Sequence, residues 1–481
     1  MRRQIRSTTR RSFISGGIGI AGIGIATSTY VACQARSRLM DCGAAATDDE
    51  ILQSALNRKG AVHLDRTYVI TSTLTISGGT QLIGNGDAKI VWKGPASQPI
   101  LRDSSVANPQ HVNRDILLQG FEIVGGSVAT GDRGQIAIEF YRTGNVTIRD
   151  LIVHGVGGSG IRWGNSYSDT TNIVVENCTV YDCRMGDGIQ GSGRGVIIRN
   201  NTIGQSGNSR SNFGDTGIAL IADFSNLTNP GHLYSSDVTI ENNIIIGNYD
   251  SKGGYKGIGS RAQTGVALGP FTAKALANIT ISKNVIKSCY VNVWVAVMRN
   301  VKIVENMLGP HSSPVTASLR LDGVSGLLVS NNILQLSLRG RGPDYSGIML
   351  TAQRNIFGAS VFDTNVDNFV IRSNTILSNL NAEGIRLGFG QINKNPDFVS
   401  RIEDGVIEVN KFIGVSNPIT FAPQIGETPK VCRNVSIRRN IIDDHATTVV
   451  YMAGNPNQYV DVIVHDNITP SRLPIKQGTG V

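Results

Sequence analysis

The stretch Val196-Ile197-Ile198-Arg199-Asn200-Asn201-Thr202-Ile203 reads as two short strands meeting at a corner marked by asparagine. Apolar residues alternate on each side of that corner, the period-2 signature of a strand. The pattern recurs as Val238-Thr239-Ile240 before Asn243, Ile279-Thr280-Ile281 before Asn284, and Val301-Lys302-Ile303 before Asn306. It continues before Asn332, Asn374, Asn410, Asn440 and Asn467, and upstream the corner falls at Leu151 and Cys178. Successive corners lie 22 to 30 residues apart in six steps and 36 to 42 in the other four. A fixed short period marks a solenoid, in which each repeat buries its apolar side only against its neighbours. No repeat contains an amphipathic helix, so a coil holds three short strands and three turns. The sequence therefore predicts a single-stranded right-handed parallel β-helix, all-β, with coils stacked about 4.8 Å apart. Stacked corner asparagines are expected to hydrogen-bond along their column and to take the left-handed backbone that a sharp corner favours.

Composition agrees. The 481 residues include 56 glycines, and only 17% are charged and 6% aromatic, as turn-rich strand repeats require. The chain opens with five arginines and no acid in residues 1–35. Thr9-Arg10-Arg11-Ser12-Phe13-Ile14 and the weakly apolar glycine-rich run after it resemble a twin-arginine (Tat) signal, with cleavage expected after Ala35. Export through the Tat translocon to the periplasm or beyond follows as an expectation. Lipidation at Cys33, within Tyr30-Val31-Ala32-Cys33, is the lesser alternative. Without that leader the formal charge of +9 falls to +4, from 40 basic and 36 acidic residues. There is no basic stripe of the kind nucleic acid requires. Cys42, Cys178, Cys183, Cys289 and Cys432 remain, an odd number without metal-site spacing, and Cys183 and Cys289 read as small buried apolar residues.

Residues 36–59 are expected to link and cap. Thr47-Asp48-Asp49-Glu50 has capping-box spacing, and Ile51, Leu52, Ala55 and Leu56 share a face of the helix that follows. Such a helix would cover the open strand edges at the end of the solenoid. Then come Gly60–Leu64, Arg66-Thr67-Tyr68 and Leu82-Ile83-Gly84-Asn85-Gly86. This order resembles the entrance of the pectate lyase superfamily, including phage tailspike and glycoside hydrolase family 28-related β-helices, with Arg66 in place of the usual glycine. The resemblance implies a β-helix over residues 60–470, followed by a tail at 471–481. It also implies carbohydrate bound along one parallel sheet across several coils.

The strand preceding many corner units begins with Gly-Ile, and the residue after that Ile should face outward. The outward row expected on this rule is Glu139, Arg162, Gln190, Ala219, Ala267, Trp294, Arg320, Met349 and Arg386. Arg162, Gln190, Trp294 and Arg320 are the candidate substrate-binding residues, around a trough at the small side chains. The long corner-to-corner steps insert loops beside this trough, and insertions on a rigid scaffold commonly fall on the binding face. Two chemistries fit. Hydrolysis needs a carboxylic acid and a carboxylate about 5 to 9.5 Å apart, and Asp187, Asp215 and Asp223 are the candidates. β-Elimination needs a base and a cation beside a uronic carboxylate, for which Lys256 and Arg261 qualify. In a lyase the acids would hold Ca²⁺. The bland alternatives are turn aspartates, solvated lysines and an Arg320–Asp322 pair that only neutralises itself. His154 reads as an isolated surface residue. The paired Asp, His-Gly and Arg-x-Lys series of family 28 polygalacturonases and the Asp-Pro-His motif of mannuronan epimerases are absent. The chain also resembles Tat-exported accessory β-helices of exopolysaccharide systems. The function expected is an exported polysaccharide-active protein that cleaves an acidic polysaccharide or exopolysaccharide by lyase or hydrolase chemistry; the alternative is a non-catalytic polysaccharide-binding or assembly protein.

Overall fold

A computed structural model describes residues 46–478 apart from 107–110, 127–134, 165–169, 185, 205–215, 224–234, 248–255, 264–275, 290, 311–316, 337–345, 353–364, 379–381, 390–400, 423–430, 454–455 and 471–472. The leader and Cys42 lie outside the described residues, and so does Ala267.

Each coil contributes to three parallel sheets. Sheet I holds 13 strands, from Thr67–Ile70 to Ile441–Ile442, each just after a corner. Sheet II runs from Leu74–Ile76 to Ile475–Gly478, and sheet III from Gly60–Leu64 to Tyr459–His465, each strand of sheet III leading into a corner. Every recorded pairing in them is parallel and joins neighbouring coils, which makes the chain a parallel β-helix. Two strands, Val291–Val304 and Ala317–Ser330, pass from sheet II into sheet III without a break. The interior is one apolar column per inward position. Ile173, Val196, Val238, Ile279, Val301, Leu327 and Phe369 are in register from coil to coil and all buried. Cys178, Cys183, Cys289 and Cys432 are buried free thiols, and desolvation pushes those of Cys178 and Cys289 up to about 12.

The asparagine column forms as expected. From Asn201 to Asn440, each corner amide N–H donates to Oδ1 of the next asparagine at 2.9–3.0 Å, and each Nδ2 donates to the same oxygen at 2.9–3.0 Å. The ladder starts at the Cys178 amide, which donates to Asn201 Oδ1. One part of the expectation is corrected. The left-handed residue is not the ladder asparagine but the one before it, with φ of 55° to 58° at Asn200, Asn242, Lys283, Glu305, Asn331, Ser373, Val409, Arg439 and Asp466. Five of these are Lys, Glu, Ser, Val and Arg, residue types that left-handed backbone ordinarily disfavours. The bonded column behind them dictates the bend. Five residues upstream lies a second left-handed bend per coil, and there only Asn, Asp or Gly occurs, as at Asn145, Asn172, Gly195, Asp237, Asn278, Asn300, Gly326, Asn368, Asp404, Asn434 and Asp461.

The entrance is capped. Helix α1, Asp48–Asn57, carries the predicted capping box, with the Thr47 amide donating to Glu50 Oε2 and the Glu50 amide to Thr47 Oγ1. Leu52 and Leu56 are buried in the end of the core. The Asp48 carboxylate accepts from the Val69 amide at 2.7 Å and from Arg66 at 2.6 Å, and Asp49 accepts from the Thr71 amide at 2.9 Å. The paired aspartates thus satisfy one amide within the first sheet I strand and one just past its end, and Arg66 stacks 4.2 Å over Tyr68. At the other end the tail forms structure: Ile475–Gly478 pairs with Val450–Ala453 and extends sheet II.

Candidate functional site on sheet II

Sheet II carries an unbroken register column across the helix: Thr75, Arg102, Glu139, Arg162, Gln190, Ala219, Gly259, Trp294, Arg320, Met349, Arg386, Thr420, Tyr451 and Lys476. Inward neighbours such as Val293, Val295, Leu319 and Leu321 are buried, so strand alternation turns this column outward. It is the row expected from sequence, with one correction. Gly259, not Ala267, occupies the coil between Ala219 and Trp294, because the strand of that coil is Lys256–Gln263. The Gly-Ile rule was satisfied at Gly257-Ile258.

Two small residues in succession, Ala219 and Gly259, interrupt the row of longer side chains between Gln190 and Trp294, and Ala219 is itself buried. Three coil steps span roughly 14 Å along the column. The long corner-to-corner steps of the sequence fall on these two coils, whose sheet II strands are Thr216–Asp223 and Lys256–Gln263.

Downstream of these two residues is a compact polar cluster. Trp294 Nε1 and Arg320 Nε both donate to Asp322 Oδ2, each at 2.8 Å. The Arg320 guanidinium stacks over the Trp294 ring at 4.4 Å. Asp322 is fully buried although it lies two residues from Arg320 on the outer side of the sheet. Burial pushes its carboxyl above the usual carboxylate range, against the Arg320 charge and the two hydrogen bonds. The expected Arg320–Asp322 pair is present; its enclosure and its bond to the indole were not visible in sequence. A second buried carboxylate, Glu383, accepts from Ser346 Oγ at 3.1 Å and Arg386 Nη1 at 3.3 Å. Desolvation raises it too, against the Arg386 charge.

Upstream, Arg102 Nε donates to Glu139 at 2.9 Å. Arg162 is half-buried and is the one arginine of the column without a carboxylate partner among the described residues. Its neighbour Gln190 is buried and accepts from Ser159 Oγ at 2.9 Å.

Of the residues proposed for chemistry, Asp187 is described with its side chain, and Asp223, Lys256 and Arg261 by the register of their strands. Asp187 is buried; its Oδ1 accepts the Thr216 amide at 2.9 Å, and its own amide donates to Ser159 Oγ. Thr216 is in register with Lys256 at the start of the sheet II strands. Asp223 is paired with Gln263 at their far end, seven residues on, roughly 23 Å away. Arg261 lies two residues beyond Gly259, in register with Ile221. Asp215 lies outside the described residues. Asp322, Glu383 and Glu139 of the row each bind arginine; of the acids expected to hold Ca²⁺, Asp215 and the side chain of Asp223 lie outside the described residues. Among the described residues the one cluster of three metal-capable groups, Asp443, Asp444 and His445, lies off sheet II. His154 is not isolated: it stacks on Tyr181 at 4.6 Å and bonds Glu122 on sheet I.

Comparison with known proteins agrees with this architecture. A family model described as a right handed beta helix region matches residues 130–308. Among solved structures, the chain is similar to the A-module of a mannuronan C-5 epimerase from Azotobacter vinelandii, at 15% identity and a TM-score of 0.57, over 82% of this chain and 95% of that one. It is also similar to a surface protein and adhesin of Streptococcus pneumoniae, at 17% identity and a TM-score of 0.54, over 79% of this chain and 96% of that one. No curated protein matches the sequence. At these identities the likeness is one of fold: a right-handed parallel β-helix.

Proposed function

We propose that the protein is an exported β-helix that engages an acidic polysaccharide laid across the coils along the outer column of sheet II. The carrying observation is that column itself: Arg162 without a carboxylate partner among the described residues, two small residues at Ala219 and Gly259, and the Trp294–Arg320 stack beyond them. Arginine is suited to this role because its planar fork matches a carboxylate and its face lies on aromatic rings. A polymer running along the column meets one coil about every 4.8 Å, so several sugar residues contact the sheet at once. The twin-arginine leader supports export to the periplasm or beyond. The solved neighbours suggest mannuronan as one polymer to include in the test.

Cleavage by β-elimination is the second reading. It rests on the strand Lys256–Gln263, which places Lys256 and Arg261 on the coil of Gly259. Hydrolysis draws less support, because Asp187 is engaged with the next coil and Asp223 lies at the far end of its strand. The test is incubation of the mature chain with a panel of polyuronates, bacterial exopolysaccharides and a neutral glucan. Binding to an acidic polymer is expected, weakened about tenfold in Arg162→Ala, the loss of one charge-assisted contact. New ultraviolet absorbance from unsaturated ends would identify a lyase, and new reducing ends without it a hydrolase. Binding with neither would identify a binder, and no binding to any acidic polymer would end the proposal.

A further inference from the structure

Asp322 is expensive where it sits. Its register partners in adjacent coils are Ala296 and Thr351, and beyond them Gly388 and Ala422, all small or neutral. The sheet therefore forms readily without a carboxylate at this position. A lone carboxylate enclosed in protein is costly unless paired and hydrogen-bonded, and Asp322 meets that demand at Oδ2 with two side chains of the outward column, while its Oδ1 is buried without a hydrogen-bond partner among the described residues. One oxygen receives the indole N–H of Trp294 and the Nε of Arg320, from two successive coils, and the guanidinium then lies flat on the indole. Each of the three fixes the other two. Arg102 and Arg386 of the same column also pair with carboxylates, Glu139 and Glu383.

We infer that Trp294, Arg320 and Asp322 form one preassembled subsite for an anionic sugar residue, in which Trp294 and Arg320 meet the ligand and Asp322 is a positioning residue that does not. The inference rests on the polysaccharide reading above and assigns part of that surface. Preassembly lowers the ordering cost of binding, since two rotamer-rich side chains are held before the ligand arrives. It also makes the site selective: an Arg held by Nε keeps a fixed orientation toward a carboxylate, which a neutral sugar does not reward.

The experiment uses the mature chain and acidic and neutral oligosaccharides of equal length, a uronate oligomer and a gluco-oligomer, followed by calorimetry and tryptophan emission. In Asp322→Asn, affinity for the uronate oligomer is expected to fall about tenfold, one charge-assisted contact's worth. Affinity for the neutral oligomer should hold. Arg320→Ala and the double variant Asp322→Asn/Arg320→Ala should lose the same amount, because Asp322 acts through Arg320. A purely structural Asp322 would lower the thermal midpoint but give no such non-additivity and no distinction between oligomers. Uronate affinity of Asp322→Asn within about twofold of the parent, or losses that add in the double variant, would overturn the inference. If Asp322→Asn fails to fold, Trp294→Phe decides: it keeps an aromatic face and removes the N–H, and undiminished uronate affinity in it would equally overturn the assignment. Failure of the parent chain to bind any acidic polymer is a different result, and it would remove the polysaccharide reading itself. Parent binding that Arg162→Ala weakens and Asp322→Asn does not would remove only this subsite.

Discussion

The corner ladder and the outer column of sheet II are built by the same register, yet one is nearly uniform and the other nearly without repetition. From Asn201 to Asn467 the ladder places the same residue at nine successive corners, with the same neutral amide bonds. Over the same coils the sheet II column runs through Gln190, Ala219, Gly259, Trp294, Arg320, Met349 and Arg386. In a solenoid each repeat contacts only its neighbours, so a column that stabilises can be monotonous, and one that recognises must differ from coil to coil. The ladder holds the coils at constant spacing. The column uses that spacing to set unlike side chains at fixed intervals.

The strongest way to break this division is to put an apolar residue into the ladder. Asn284 is fully buried; its Oδ1 accepts from the Asn243 amide and Nδ2, and its Nδ2 donates to Ile240 O and Asn306 Oδ1. Asn284→Leu keeps the branching and heavy-atom count but leaves the buried Asn243 amide unpaired. The expected loss is about 3 kcal/mol of unfolding free energy, at the upper end for a stranded buried donor. Denaturant unfolding measures it, and polysaccharide affinity of the folded protein should be unchanged. A loss of affinity without a loss of stability would show that the ladder and the column are not separable.

The same two columns show what the sequence discloses. Inward alternation, the asparagine period, the capping box and most of the outward column are legible because each repeats, and repetition survives the loss of all other information. Gly259 was readable by the Gly-Ile rule at Gly257-Ile258, but the long insertion after Asn243 also holds Gly265-Val266, just before the expected Ala267. Asp322 was not legible as a buried group. It occurs once, and an Asp two residues after an Arg on a strand looks like a surface pair unless the enclosing side chains are known. The left-handed bends divide in the same way. At the bend five residues upstream, composition alone marks the position as Asn, Asp or Gly. Before the ladder, Lys283, Glu305 and Val409 carry no local signal, because the bonded column rather than the residue chooses the backbone.

That contrast gives a prediction of opposite sign. Val409 has φ of 58° and a side chain that is 45% exposed, so a β-branched residue holds a left-handed conformation with little burial in return. Val409→Gly removes the steric cost of that conformation, about 1–2 kcal/mol, and adds back some chain entropy, for a net gain of about 0.5–1 kcal/mol. A raised denaturation midpoint with an unchanged slope is the expected measurement. If Val409→Gly destabilises, the ladder does not impose the bend, and the valine contributes packing that outweighs its strain.

The smallest effect separates neutral bonds from ionic ones. The ladder is amide to amide and has no group that titrates in acid. The entrance cap is held by Asp48, which bonds the Val69 amide and pairs with Arg66. Burial opposes ionisation of Asp48, but the hydrogen bonds from Arg66 and Val69 and the Arg66 charge outweigh it, and its carboxyl titrates below the ordinary value of 3.8. A carboxylate with a lowered folded-state pKa contributes stability that is complete above 3.8 and is lost as pH falls below it. The pair is partly exposed, so this contribution is below about 1 kcal/mol. Hydrogen exchange, corrected for its intrinsic pH dependence, should show protection of the Val69 amide falling as the pH is lowered below 3.8, while the Asn306 amide within the ladder stays protected. In Asp48→Asn the Val69 amide should exchange faster at neutral pH and lose its pH dependence. Equal acid sensitivity at Val69 and Asn306 would mean that the cap and the ladder open as one unit, and that the entrance is not the weaker end of the stack.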